Sequence, residues 1–234
     1  MNASDIMTSP VITAAPHTPV REIAGLLLKH RISAVPVMVE GRLVGLVSEG
    51  DLLHRHEIGT DRADQNRSWW LRLLGSDRSI GDYVRSHARY ARDIMTREVV
   101  SVSPDTPIAE IASLLETRGI KRVPVLRGDR LVGIVSRANL IQALAVAGHS
   151  GPKRPKRSQS DKAIRTRLIA ELERQPWWRR GSSNAIVTEG VVHYWGMIDA
   201  EEERTAARVA AENIAGVRGV EDHRLHMYDI PSMT

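Results

Sequence analysis

The sequence predicts a mixed α/β (α+β) chain: two βαββα repeats packed as a pseudo-two-fold pair, followed by a small αββαβ domain. Three observations carry this reading. Asp5 to Leu53 recurs without a gap as Asp93 to Ile141, 88 positions later. Within each copy the apolar pattern switches between strand alternation and helical spacing. Beyond a basic, Gly- and Pro-containing linker, the pattern restarts in a different order. A period this long that occurs twice is not a solenoid, which needs at least ~3 stacked units to bury its core. The expected boundaries are residues 1–53 for the first repeat, 54–92 for an insert, 93–146 for the second repeat, 147–160 for a flexible linker and 161–230 for the last domain.

In the first repeat, Val11, Ile12 and Thr13 are β-branched and predict a short strand. Thr18 is placed to cap a helix, with Pro19 at its first position and Glu22 in its first turn. Val20, Ile23, Ala24, Leu27 and Leu28 then form one helical face. Val35 to Val39 predicts a strand, Glu40-Gly41 a hairpin turn, and Leu43 to Val47 the return strand. Ser48 to Asp51 opens a second helix. The second repeat follows the same plan, with Thr106 as cap and Pro107 at the first helical position.

The bulk numbers narrow the function. The chain contains no Cys, which excludes disulfides, zinc–thiolate sites and thiol nucleophiles. Its opening residues lack a basic start followed by an apolar run, and no apolar stretch approaches the ~20 residues of a transmembrane helix. A cytoplasmic location is therefore expected. The net charge of +5 favours anionic partners. No phosphate loop, dinucleotide fingerprint, zincin motif or nucleophile elbow is present, so no catalytic residues are assigned and a non-enzyme is expected.

The element order and the repeated motifs resemble the cystathionine-β-synthase (CBS) domain. The matching residues are Asp5-Ile6-Met7-Thr8, Val35-Pro36-Val37 and Gly45-Leu46-Val47-Ser48 with Asp51-Leu52, and their counterparts from Asp93 to Leu140. Two such domains in tandem form a Bateman module. The resemblance implies two ligand clefts between the repeats, adenine nucleotides such as AMP or ATP as regulatory ligands rather than cofactors, and a homodimer formed through the CBS pair.

The Ser-x-x-Asp element has a physical rationale of its own. A short polar residue at a helix N-terminus leaves backbone N–H groups for an anion, and a carboxylate three residues on can take both hydroxyls of a ribose. The plainer alternative is that Ser48 and Asp51 only cap their helix. The two copies differ at two informative places. Asn139 replaces Asp51, losing charge-assisted hydrogen bonding. Lys121-Arg122 replaces Ser33-Ala34, adding cations able to neutralise phosphate. In Bateman modules each cleft draws on both copies. The resemblance thus implies one competent site, with Ser48 and Asp51 joined by Lys121 and Arg122 and with Val11, Thr13 and Val35 lining the adenine. It implies a weaker second cleft at Ser136 and Asn139.

The insert is polar apart from Trp69-Trp70-Leu71-Arg72-Leu73-Leu74, a patch suited to packing. His54, His56 and Glu57 lack a third ligand at a recognisable spacing, and His223 and His226 are expected on opposite faces of one strand, so no metal is assigned. In the last domain, Ala163, Ile164, Leu168, Ile169 and Leu172 predict a helix, and Ala185 to Thr188 and Val191 to Met197 a hairpin turning at Glu189-Gly190. A second helix is expected over Glu201 to Ile214, apolar along Ala206, Val209, Ala210 and Asn213, and a third strand over Val217 to Met227. This order, with Gly190, Tyr194-Trp195-Gly196 and Gly216-Val217, resembles the BON domain. That family is associated with phospholipid or hydrophobic ligands. Trp177-Trp178 is the stretch suited to a protein partner or to lipid.

The leading expectation is a regulatory protein that senses an adenine nucleotide and contacts a protein partner through the BON domain. The alternatives are a membrane-peripheral protein that binds phospholipid through that domain with the CBS pair as a dimer scaffold, and nucleic-acid binding through the basic linker, the least favoured of the three.

Overall fold

The structure is a computed structural model that describes residues 1–53, 87–147, 159–179 and 181–226. The Trp69-Trp70 patch, the His54, His56 and Glu57 group and most of the basic linker lie outside the described residues. Two compact units are formed, Ile12–Val99 and a second made of Met1–Val11 with Val100–Thr234.

The first of these units is the body of the first repeat. It contains helix α2 (Val20–His30), strands β1 (Ala34–Val39) and β2 (Arg42–Ser48), and the short helix α3 (Glu49–Leu52). β1 and β2 are antiparallel and turn at Glu40-Gly41, both with positive φ (49° and 79°), the conformation of a type I′ hairpin. Val20, Ile23 and Leu27 of α2 bury against Val35, Val37 and Val47. The helix starts one residue later than expected. Pro19 is the N-cap, and Thr18 Oγ1 instead accepts the Ala15 N–H at 2.9 Å. The strand expected at Val11 to Thr13 is reduced to one parallel bridge, Ala14 to Val37. The two prolines nearby, Pro10 and Pro16, cannot donate to a ladder, so a single pair of backbone bonds is what remains.

The unit is closed by a segment of the other repeat. Helix α4 (Ala91–Ile94) and Thr96 come from the second copy of Asp-Ile-Met-Thr, yet Ala91, Ile94 and Met95 are buried in the first repeat's core. Thr96 and Leu46 exchange backbone hydrogen bonds at 2.9 Å. The other unit mirrors this. Helix α1 (Ala3–Ile6) and Thr8 come from the first copy but pack on the second repeat's elements: α5 (Ile108–Thr117), β3 (Arg122–Arg127), β4 (Arg130–Ser136) and α6 (Arg137–Ala147). Thr8 bridges Ile134, and Met7 lies over Gly133 as Met95 lies over Gly45. A Cβ on either glycine would overlap the methionine thioether. The glycine in the repeated motif is thus set by the close approach of the exchanged methionine.

The C-terminal domain belongs to the same unit as the second repeat. Helix α7 (Gln159–Leu172) is followed by β5 (Asn184–Thr188), β6 (Val191–Trp195), the two-residue β7 (Met197–Ile198), helix α8 (Glu202–Glu212), β8 (Gly219–Asp222) and β9 (Leu225–His226). β5 and β6 are antiparallel, and β6 and β8 are parallel across the α8 crossover. The hairpin turns at Glu189 and Gly190, with φ of 53° and 78°, and the Asp161 carboxylate accepts both of their N–H groups at 2.9 Å. The expected third strand is split in two. The break falls at Arg224, whose buried guanidinium bonds Asp222 and the Glu203 carbonyl and lies against the rings of Trp178 and Tyr194. The expected apolar face of α8 is also shifted: Ala207 and Ala211 are buried, whereas Val209 is 45% exposed.

We expect Gly45→Val and Gly133→Val each to lower stability by ~1–3 kcal/mol through overpacking against Met95 and Met7. Thermal or urea unfolding measures this, and pairing either change with truncation of the facing methionine to Ala should recover part of the loss.

Candidate functional site

β2 and β4 each end in a serine that caps the next helix. At the end of β2, Ser48 is the N-cap of α3, and Asp51 Oδ2 accepts both the Ser48 backbone N–H and its hydroxyl at 2.8 Å. Among the described residues, Oδ1 of Asp51 takes no hydrogen bond. Asp51 is only partly buried.

The second copy repeats the cap but uses the residue fully. Asn139 Oδ1 accepts from the Ser136 N–H and hydroxyl at 2.8 Å. Its Nδ2, which stands where Oδ1 stands in Asp51, donates to Thr8 Oγ1 at 3.3 Å and Gln142 Oε1 at 3.4 Å. Asn139 is 4% exposed. The amide is therefore spent on binding the exchanged N-terminal segment to the second repeat. The capping alternative for the Ser-x-x-Asp element holds fully for Asn139 and for one oxygen of Asp51.

The other expected site residues fall as follows. Val35 is completely buried among Ile23, Leu27 and Val47, so it shapes the core and offers no surface to a ligand. Val11 is partly buried, and Thr13 is exposed in the extended stretch before Ala14. Lys121 is exposed, and Arg122 opens β3 opposite Ser136. The Lys121 carbonyl accepts the Arg137 N–H at 3.1 Å, as Ser33 does for Glu49 in the other copy. Trp178 is 3% exposed, set edge-on to Tyr194 at 5.8 Å, and belongs to the core of the C-terminal domain with Leu168 and Leu172. The expectation that it contacts a partner or lipid is therefore corrected. Trp177 is partly buried against the same core.

A polar network missed in the sequence runs from Asn139 into the last domain. Gln142 Oε1 accepts from Asn184 Nδ2 at 3.3 Å, and Asn184 Nδ2 also donates to the Ile6 carbonyl at 2.9 Å. Asn184 Oδ1 accepts from Arg165 at 3.3 Å. The Arg165 guanidinium further donates to the carbonyls of Ala185 (2.8 Å), Ser4 (2.9 Å) and Met7 (2.7 Å). Burial pulls its pKa down to about 10, opposed by the charge of Asp5, which leaves it a cation at neutral pH. The only sequence signal was an arginine inside an apolar helical face, between Ile164 and Leu168. Beside this network, Ile186 and Trp195 of the C-terminal domain's sheet pack on the second repeat's core with Ala3 and Ile6.

His223 and His226 do not share a strand, as had been expected. His223 lies between β8 and β9, where it joins His193 and Glu221. The Nδ1 of His193 is 3.2 Å from Glu221 Oε2 and 3.4 Å from His223 Nε2. His223 Nε2 is 3.5 Å from the same carboxylate oxygen.

The comparisons agree with this architecture. The CBS domain model matches residues 3–57 and 91–146, and the BON domain model matches residues 160–225. An uncharacterized protein of Methanocaldococcus jannaschii is 32% identical over 156 residues, spanning 62% of this chain and 91% of that one. The chloroplastic CBS domain-containing protein CBSX1 of Arabidopsis thaliana is 31% identical over 146 residues, 59% of this chain and 61% of its own. The crystal structure of CBSX2 in complex with AMP superposes with a TM-score of 0.54 at 26% identity, covering 63% of this chain and 99% of that one. The chain belongs to the CBS-domain family, as a tandem pair or Bateman module carrying a C-terminal BON domain. No helix among the described residues is long and apolar enough to cross a membrane.

We expect Arg165→Lys to lower stability by ~2–4 kcal/mol, because an ammonium cannot span acceptors held by a planar fork and leaves buried carbonyls unpaired. Urea unfolding measures the loss, and limited proteolysis should show the BON domain released first.

Proposed function

We propose that this chain is a non-enzymatic regulatory protein whose CBS pair binds an adenine nucleotide and whose BON domain passes the state of occupancy to a protein partner. The observation that carries the reading is the contrast between Asp51, one of whose carboxylate oxygens takes no hydrogen bond among the described residues, and Asn139, whose amide is consumed. Asp51 is the ribose acceptor, and Ser48 and the N–H groups of its turn flank it; the resemblance to Bateman modules implies Lys121 and Arg122 as the charge for the phosphate. Thr13 and Val11 border the base. The cleft at Ser136 and Asn139 is weak or silent. The relative solved with AMP supports the ligand class. The matched segment also makes up 13% of an A-adding tRNA nucleotidyltransferase of Geobacter sulfurreducens, which supports its role as an attachable control element.

Transmission needs a ligand with different affinities for two arrangements of the protein. The bond chain from Asn139 through Gln142 and Asn184 to Arg165 supports a route from the second repeat to the BON domain.

Calorimetric titration with AMP, ADP and ATP tests the proposal. We expect one site per chain. Asp51→Asn should weaken binding by ~10-fold or more, because it keeps the cap but loses the charge, as Asn139 does. Lys121→Ala with Arg122→Ala should weaken AMP but leave adenosine unaffected. Absence of binding by all three nucleotides would refute the reading; two equal sites would refute the asymmetry.

We further propose that the CBS module pairs with a second copy. Ile141 and Leu144, on α6, are 67% and 72% exposed, which supports a face covered by another chain. Light scattering should give a dimer mass, shifting to the monomer in Ile141→Glu with Leu144→Glu; a monomeric native chain would overturn it.

A further inference from the structure

The β5–β6 hairpin of the BON sheet is buried on both faces, and the two faces carry different chemistry. Val192 and Tyr194 of β6 face the BON helices, within the domain's own core. His193 alternates with them and faces the other way. In the parallel register it stands directly beside Glu221 of β8. His223, two residues beyond Glu221, brings its ring over Trp195, with centroids 4.2 Å apart and planes 19° from parallel. The three side chains thus converge from two adjacent strands and the turn that follows, and the Trp195 indole fixes the orientation of the third.

We propose that His193 Nδ1, Glu221 Oε2 and His223 Nε2 form a binding site for a divalent transition metal, with zinc the best fit. The donor atoms are separated by 3.2, 3.4 and 3.5 Å. A tetrahedral ion with bonds of ~2.0–2.1 Å requires its donors to stand ~3.3–3.4 Å apart, so the triangle already has the right edge. Two imidazole nitrogens and one carboxylate oxygen form a set suited to zinc, whereas magnesium and calcium take oxygen ligands.

Exposure completes the site. The His193 side chain is 6% exposed, that of His223 33% and that of Glu221 48%. The first ligand is therefore anchored in the packed sheet, and the carboxylate side is open to water. A hydrated ion can enter there and keep a water as its fourth ligand. Ion binding would tie β6 to the β8–β9 turn and hold the ring against which Trp195 stacks. Trp195 also packs on the core of the second repeat. The ion would thereby stiffen the BON sheet where it meets that repeat. This inference does not depend on nucleotide binding.

Titration of the metal-stripped full chain with zinc chloride at neutral pH tests it, followed by cobalt substitution and visible absorption. We expect one ion per chain, a cobalt spectrum of low coordination number, and quenching of tryptophan emission by cobalt. Binding should weaken on acidification, because protons compete with the ion for the ligand atoms. Glu221→Gln and His223→Gln, both on the exposed side, should fold and weaken zinc binding at least ~100-fold, beyond the cost of losing an outer-shell partner. His226→Gln should bind as the native chain does. No zinc binding by the native chain, or equal binding by the Glu221→Gln and His223→Gln variants, would overturn the proposal.

Discussion

The buried guanidinium of Arg165 is the constraint on which the second unit depends. It gathers the carbonyls of Ser4 and Met7, the carbonyl of Ala185 and the amide oxygen of Asn184, groups drawn from opposite ends of the chain. Removing a cation from water costs several kcal/mol, on the order expected for any buried ion, unless each donor finds an acceptor. Here the planar fork is met on several sides, and Asp5 adds a compensating charge. The result is a geometric condition rather than a general attraction. The BON helix, the BON edge strand and the N-terminal turn satisfy the cation only when all three are in place. Apolar burial by Ile186 and Trp195 supplies a nondirectional attraction alongside it.

The two helix caps show how one local geometry can serve two ends. Ser48–Asp51 and Ser136–Asn139 have the same bond lengths to the serine. An aspartate to asparagine exchange changes one atom from acceptor to donor. In the second copy that donor finds Thr8 and Gln142, and the residue becomes structural. In the first copy, among the described residues, the corresponding oxygen of Asp51 takes no hydrogen bond. The difference between the two caps therefore rests on a single atom in each repeat.

Much of this was legible in the sequence, because local rules agreed with the fold. Glu40-Gly41 and Glu189-Gly190 specify their turns through residues that accept positive φ, and both hairpins formed there. The helical face of α2 was read from spacing alone. What could not be read depended on contacts distant in the chain. Val35 looked available for a ligand, but the faces of a short apolar strand cannot be distinguished until both are covered. The phase of α8 was misjudged because Val209 was read as part of the apolar face, whereas the buried stripe is set by the smaller Ala207 and Ala211. Trp178 looked interfacial beside its arginines, yet the ring is enclosed by Tyr194 and Arg224. The His193–Glu221–His223 cluster was hidden because 28 residues separate His193 from Glu221, and only a parallel register brings them side by side.

The exchange of the Asp-Ile-Met-Thr segments has a consequence for how the chain acquires its structure on the ribosome. The core of the first repeat lacks Ala91, Ile94 and Met95 until translation has passed far beyond that repeat's own last strand. Residues 1–11 meet their packing partners only when the second repeat's strands are made. Synthesis therefore leaves both pieces waiting, with apolar surface exposed, for loops closed between Leu46 and Thr96 and between Thr8 and Ile134. Such closure is slow compared with local hairpin formation. The nascent N-terminal half is the interval in which this protein most needs protection from aggregation.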